Sequence, residues 1–550
     1  MIRRVIFLAA LLAVMDLAGL IGCHASSARP SETAESNPWT QPGILRIGGQ
    51  PEPDNLNPLF GTQVIDTDIS MFWASYLFYW NDRNEFVPEL ATKLPTLANG
   101  GISKDGLTIV YHLRRGVKWQ DGAPFTAADV VYTWRQVLNP KNDIQSRLGY
   151  ELITRIDTPD KYTLVIHLKQ RYAPLVATFF TMSSTTFCIL PQHLLAKSPD
   201  LNNVAYNDLP IGTGPFKIVS YVKGKSIRMV ANPSYWRGPP QLKEVQYHII
   251  ADDRQLLRKI REHEIDFYYN ASQAQEPQLH GIAGTTIYLY PFTRFADIGF
   301  NAGTPLLRDL RVRHALAYGT DRRELITNVA HGVNLPADSD QPPFSWAHAE
   351  HLRAYHYDPA LSRRLLERSG WRLGSDGVRH KDGKSLTLVM VGFSGSSTTA
   401  AAQRVIRDEW AQVGARVVIK NYPSEKLYGS KAAGGIEQSG KFDVAFEEWA
   451  NGVDPEDSQL FMCSMRPPGG WNIYHLCDRA LDRAELTALS EYDLTKRKAA
   501  YTKVQQILVD QLPVLVLWFA QRQDVVNLDL VNYRPAYAVT PFWNTWQWEI

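Results

Sequence analysis

Between Glu447 and Ser464 the chain reads EEWANGVDPEDSQLFMCS, which gathers five acids, a Trp, an Asn-Gly pair and an Asp-Pro step. Carboxylates at this density suit paired acid–base catalysis, a hard metal ion, or the floor of a binding cleft. Spacing narrows the choice. Glu447 and Glu448 are adjacent, so on a strand they point to opposite faces and only one can face a cleft. The two-carboxylate arrangement of a glycosidase rests on a separation that sequence does not contain. DPEDS lacks the alternating oxygen ligands and central Gly of a calcium loop. Asp454 and Pro455 read as the cap and first residue of a helix, with Glu456 and Asp457 favouring its N-terminus. Trp449 ends a strand, FDVAFEEW, and open α/β sheets gather ligands beyond the carboxyl ends of their strands. Trp449 is therefore a candidate cleft-wall aromatic. Asn451 is either a ligand contact or the left-handed residue of a turn before Gly452.

Other catalytic signatures fail by single residues. GKS at 224–226 has Val219 where a phosphate loop needs its first Gly, and it sits in a predicted hairpin. GTGPFK carries Lys217 in place of the third Gly of a dinucleotide fingerprint. GFSGS ends in Ser396 where a nucleophile elbow closes with Gly. No HExxH pattern occurs among the 14 His. Cys463 and Cys477, with His475 between them, read as a disulfide beside an exposed His rather than a soft-metal site. Cys188, in TTFCIL, reads as a buried inert thiol. No cofactor, no metal and no enzymatic activity are expected.

The chain has 550 residues, 45% of them hydrophobic and 21% charged, enough for several folded units. Lys plus Arg is 58 and Asp plus Glu 56, a net charge of +2, so no electrostatic footprint for nucleic acid is present. Fifteen Trp and 25 Tyr suit recognition surfaces with an apolar body and a polar tip. At the N-terminus, Arg3 and Arg4, an apolar run from Val5 to Met15 and Leu20-Ile21-Gly22-Cys23 read as a lipoprotein signal peptide (residues 1–22), with lipid received by Cys23. Residues 23–42, rich in Ser, Pro, Thr and Glu, read as a flexible linker. No later run approaches the ~18 apolar residues of a spanning helix. The expected location is the periplasm or cell envelope, with a lipid anchor to the membrane.

Periodicity places the elements. KDGLTIVYHLRRGVKWQDG predicts a β-hairpin around Asp-Gly turns. PFTAADVVYTWRQVLNP predicts a helix capped by Thr126. Residues 212–232 predict two strands around Lys-Gly-Lys. Strand, helix and strand follow at 244–250, 253–262 and 265–269, which argues for an α/β lobe. A second such region runs from ADIGFN through one helix at 308–330, a helix at 360–369, a strand at LTLVMVGF, a helix at 399–413 and the strand RVVIKNY. Arg308, Arg311 and Arg313 read as a solvated helix face.

Several stretches together resemble one family. LTIVYHLRRGVKWQDGAPFTAADVVYTWRQVLNP, GTGPFKI, ANPSYW, FNAGTPLLRDLRVRHALAYGTDRRELI, YDPALSRRLLERSGW and RKAAYTKVQQILVDQLPVLVLWF resemble, in family order, the extracytoplasmic solute-binding proteins of the peptide and nickel class (family 5) of ATP-binding-cassette importers. The resemblance implies an α/β, two-lobed periplasmic-binding-protein-like fold (type II) with an extra domain inserted in the first lobe. It implies lobe I at 43–76, 206–292 and 521–550, the inserted domain at 77–205 and lobe II at 293–520. It further implies a monomer that encloses a peptide or related small solute by hinge closure and delivers it to a permease complex. The cleft segments it points to are Thr62, Val64, Tyr150, Phe295 and Trp449. Peptide-binding relatives place an Asp three residues after the strand-end Trp, for the amino terminus of the peptide. Here WANGVDP is one residue shorter and Asn451 or Gly452 falls in that place, which leaves Glu448 as the carboxylate for an amine if it faces inward. Oligosaccharide or a nickel chelate is the alternative solute for the same fold, and a secreted hydrolase the alternative from another class.

Overall fold

The computed structural model describes residues 36–144, 146–183 and 187–550, so Cys23 and the signal segment lie outside the described residues. Two long strands run through the centre, Thr285–Phe300 of 16 residues and Val514–Asn527 of 14. Both are rich in β-branched and aromatic residues, and they pair antiparallel. Thr285 to Pro291 pair with Asn527 to Gln521, and Phe295 to Gly299 pair with Phe519 to Val514. Between Pro291 and Phe295 the register shifts. Pro291 has no N–H to donate to a ladder, which favours an interruption there.

One half of the sheet lies on each side of that break. On one side follow strands Phe267–Tyr268, Ile44–Gly49, Glu244–Ile249, Ser226–Ala231 and Phe216–Val222. On the other follow Val444–Ala450, Thr387–Phe393 and Arg416–Tyr422. Strands Ile44–Gly49 and Glu244–Ile249 are parallel, as are Thr387–Phe393 and Arg416–Tyr422. Helices Asp253–Arg261 and Ser397–Gln412 make crossovers between successive strands of the two halves. The first half has one large core, which contains Leu45, Phe72, Trp73, Phe267 and Trp548. The second half is buried on both faces: Ala296, Ile298, Phe446 and Trp518 enter one core, and Phe295, Ala445, Val516 and Phe519 the other.

Three sequence expectations change. The strand Thr108–His112 pairs with Thr163–Leu168 in a separate three-stranded sheet and does not form a hairpin with the run that follows it. Within that run Lys118 makes only an isolated bridge to Pro124, around a turn closed by Trp119 and Ala123. The helix expected over 308–330 is two helices, Leu310–Tyr318 and Arg322–Asn328. Gly319 ends the first, and the Asp321 carboxylate caps the second by accepting from the Arg323 and Glu324 N–H groups. Arg313 is buried rather than solvated, and its guanidinium donates to the carbonyls of Leu307, Gln511 and Leu512. It thereby satisfies the C-terminal end of helix Leu494–Gln511.

The glycines of GTGPFK serve packing. A Cβ on Gly212 would stand 1.8 Å from the Trp73 carbonyl oxygen, so only Gly lets this segment lie against the end of helix Val64–Trp73. The same helix is tied to the long C-terminal strand by a buried ion pair, Arg522 to Asp68 at 3.2 Å, with the Tyr269 hydroxyl bonded to the same carboxylate oxygen. Removing one partner of such a pair strands the other charge. Arg522→Met is expected to cost about 3–5 kcal/mol in urea unfolding. Adding Asp68→Asn should recover most of that loss; equal losses in the single and double variants would refute the pairing account.

Candidate functional site

Two cavities flank the end of strand Val444–Ala450. The larger, about 520 Å³, is walled on one side by Arg147, Leu148 and Glu151 and on the other by Tyr428, Gln438 and Trp471. The smaller, about 260 Å³, is lined by Trp80, Arg83, Phe344, Trp346, Gly452 and Val453. Both draw on residues that precede the crossing strands in sequence and on residues of the second half of the sheet.

Trp449 is half-buried behind the larger cavity. Its indole N–H donates to the Tyr474 hydroxyl at 2.9 Å, and its ring meets Trp471 edge to face at 5.9 Å. Trp471 and Tyr474 lie in the loop closed by a disulfide between Cys463 and Cys477, with Cα atoms 4.6 Å apart. The expected disulfide is therefore present, and it restricts the segment that carries two of the aromatic residues. Cys188 is buried, and burial pushes its thiol up to about 12, as an inert cysteine requires.

The other candidate residues divide. Asn451 is fixed by its neighbours: Nδ2 donates to the Asp340 carbonyl at 2.6 Å, and its own carbonyl accepts from Thr293 Oγ1 at 2.6 Å. Its φ is not positive, so it is not a left-handed turn residue. Glu448 points away from Trp449, because side chains alternate along the strand. It pairs across the sheet with Ala296, and its carboxylate lies 3.8 Å from Arg294. The carboxylate on the Trp449 side is Glu447. Tyr150 is wholly buried; its hydroxyl accepts from the Phe180 N–H at 2.7 Å and donates to the Thr178 carbonyl at 3.0 Å. Its neighbours Leu148 and Glu151 line the larger cavity instead. Phe295 is also buried, against Phe519. Thr62 is exposed and bonds to the Asp54 carboxylate, and Val64 is exposed at the start of its helix; neither lines either of these two cavities.

The acids after Trp449 are structural in a different way from a helix cap. Asp454 forms a two-pronged ion pair with Arg497, both contacts at 2.7 Å. Asp457 precedes the short helix Ser458–Phe461 without capping it, and lies buried beside Asp340 and Glu485. A second group joins Glu447, Asp297 and Glu437, with the Tyr428 hydroxyl at Glu447. Tyr428, Gln438, Trp471, Asp297 and Glu437 were not singled out from sequence. Alternation along 444–450 was the one signal that tied Glu447 to the Trp449 side. Among the described residues no three His, Cys, Asp or Glu side chains converge to hold a metal ion.

Burial dominates the electrostatics of these acids. It pushes Glu447 up to about 7 and Glu485 up to about 8. Their unfolded values lie near 4. The folded chain thus binds protons that the unfolded chain has already released, and this contribution to stability is present at low pH and lost as pH rises through about 7 to 8. The melting temperature should fall by several degrees between pH 6 and pH 8.5. Glu485→Gln should flatten that slope and raise the melting temperature at pH 8.5; an unchanged slope would remove Glu485 from the account.

Residues 85–470 match the model of the bacterial extracellular solute-binding proteins, family 5. The oligopeptide-binding protein AppA of Bacillus subtilis is 24% identical over 558 residues, covering 98% of this chain and 99% of its own. The structure of AppA in complex with a nonapeptide is similar with a TM-score of 0.75 and 23% identity, over 92% of this chain and 99% of that one. NikZ from Campylobacter jejuni, in complex with Ni(L-His), gives 0.77 and 24%, over 93% and 100%. These likenesses establish the two-lobed fold. No helix among the described residues is long and apolar enough to cross a membrane. With the family model spanning well over half its length, the chain belongs to the bacterial extracellular solute-binding proteins of family 5.

Proposed function

We propose that this chain is the non-enzymatic solute-binding component of an ATP-binding-cassette importer, that it captures short peptides in the cavity behind Trp471, and that it hands them to a membrane permease. Its lobes divide at the interrupted ladder, with lobe I at 43–76, 206–292 and 521–550, lobe II at 293–520 and the inserted domain at 77–205. Cys23 anchors a monomer to the membrane through lipid, and residues 23–42 act as its leash. The observation that carries this reading is the larger cavity itself: Arg147, Leu148 and Glu151, which precede both crossing strands in sequence, line it together with Tyr428, Gln438 and Trp471, which lie between them. A solute held by both walls favours the closed arrangement, which is how ligand binding drives hinge closure. The oligopeptide-binding relative supports peptides as the solute. Aromatic walls with amide and hydroxyl groups suit peptide backbones of varied sequence.

Thermal-shift and small-angle scattering measurements with di- to nonapeptides test the proposal. Saturating peptide should raise the melting temperature and shrink the radius of gyration at one peptide per chain. Trp471→Ala should weaken binding at least tenfold, about 1.4 kcal/mol. A response only to oligosaccharides or to nickel–histidine would keep the binding role and replace the peptide.

A further inference from the structure

Three buried acids of this chain have cationic partners, whereas Asp457 and Glu485, with Asp340, form a buried group that has none. Asp454 has Arg497, Asp68 has Arg522, and Asp266 has Arg46 at 2.8 Å. Asp297, Glu437 and Glu447 have none. Asp297 and Glu437 have no exposed surface, and Glu447 has 2%. Both oxygens of Asp297, both of Glu437 and one of Glu447 are without a hydrogen-bond donor. The charges that act on Asp297 are Glu447 and Asp340, and those on Glu437 are Glu447 and Asp297, all of them carboxylates. Glu447 feels Glu448 as well, whose own neighbour is Arg294 on the far face.

The group stands directly behind the larger cavity. Tyr428 lines the cavity and its hydroxyl meets Glu447, while Gln438, next to Glu437, lines the same wall. Asp297 and Glu447 are cross-strand partners. Tyr474 fills the space over Gly299, where a Cβ would come within 2.4 Å of its ring, and Trp449 and Trp471 complete an aromatic surround. Carboxylates without cationic partners attract a desolvated cation. Arg147 keeps its charge at the cavity, but its N–H groups are engaged by the carbonyls of Val137, Asn139 and Asn142. The other charged group on that wall, Glu151, is an acid. Among the described residues no three such side chains form a metal-binding group. An organic cation with several N–H donors can pair with neighbouring carboxylates, and a guanidinium does so with a planar fork.

We propose that Asp297, Glu437 and Glu447 form an anionic subsite, reached from the larger cavity past Tyr428, that takes the ammonium or guanidinium group of a positively charged solute. This deepens the peptide reading and rests on it for the rest of the solute. The positive group is either the peptide's own amino terminus or a basic side chain. Docking replaces the proton shared among the acids by the solute's charge, so loading releases protons. Affinity for a positively charged solute then strengthens as pH rises through about 7, where burial holds Glu447.

Calorimetric titration of the purified chain with three peptides tests this. Ala-Ala-Ala carries only the terminal ammonium, N-acetyl-Ala-Lys-Ala only the side-chain ammonium, and N-acetyl-Ala-Ala-Ala neither. At pH 8 at least one charged peptide should bind ten or more times tighter than the neutral one, and which one does so names the source. The advantage should shrink at pH 6. Glu447→Gln and Asp297→Asn should each abolish it. Equal binding of all three peptides, or charge discrimination that survives in both variants, overturns the subsite. If none of the three binds, the peptide reading fails, and butylamine and butylguanidine, with butanol as the neutral control, test the subsite alone. A rise in melting temperature at pH 8 that Glu447→Gln removes sustains it, and no difference from butanol overturns it.

Discussion

The architecture depends on one backbone pairing, that of Thr285–Phe300 with Val514–Asn527. These two strands belong to both halves of the sheet, and their ladder is interrupted between Pro291 and Phe295. Three residues there, Phe292 to Arg294, are outside the pairing with the C-terminal strand. The gap is braced from its edge. Leu335 and Pro336 pair with Phe519 and Trp518, and the Gln521 N–H donates to Asn334 Oδ1 at 3.0 Å. Side chains at the gap are anchored too, with the Arg522 guanidinium 4.7 Å from the Phe292 ring centre.

The same strands decide which groups reach the cavities. Thr293, Phe295 and Asp297 alternate with Arg294, Ala296 and Ile298, and the cross-strand pairs carry that alternation into Val444–Ala450. Trp449 and Glu447 share the cavity side, while Glu448 shares the other with Arg294. A shift of one residue in this register would exchange the two glutamates and replace the whole anionic group.

Much of the fold was legible because local signals agreed with tertiary ones. The Thr126 cap, the Lys-Gly-Lys turn between strands 216–222 and 226–231, and the helices at 253–261 and 397–412 all follow from periodicity and turn chemistry. Strand partners were not legible, since Thr108–His112 pairs with a segment about 50 residues on, and alternation says nothing of which strand lies alongside. The position of Trp449 at a strand end was readable. The face it occupies was not, because strand Val444–Ala450 is buried on both sides, by Phe446 in one core and Ala445 in the other. A strand with two apolar faces gives alternation without a sign. Tyr428, Gln438 and Trp471 come from irregular segments, where no period marks a functional side chain.

Glu447 illustrates how stability and recognition oppose each other in this lobe. It sits on the buried face of its strand, next to Phe446 and in line with Ala445, where a hydrophobic residue would pack without penalty. Burial keeps the empty site close to neutral by holding its protons, so the fold does not carry three uncompensated charges. A cation entering the site reverses that balance: each carboxylate it ionises gains a partner, and the desolvation already suffered by the protein is not suffered again on binding. Acids that weaken the empty protein at high pH are thereby the groups able to hold a positive solute most strongly under the same conditions. In the proposed site discrimination rests on charge, while Trp471 and Tyr428, which line the larger cavity, suit the remainder of a solute with little regard to its sequence.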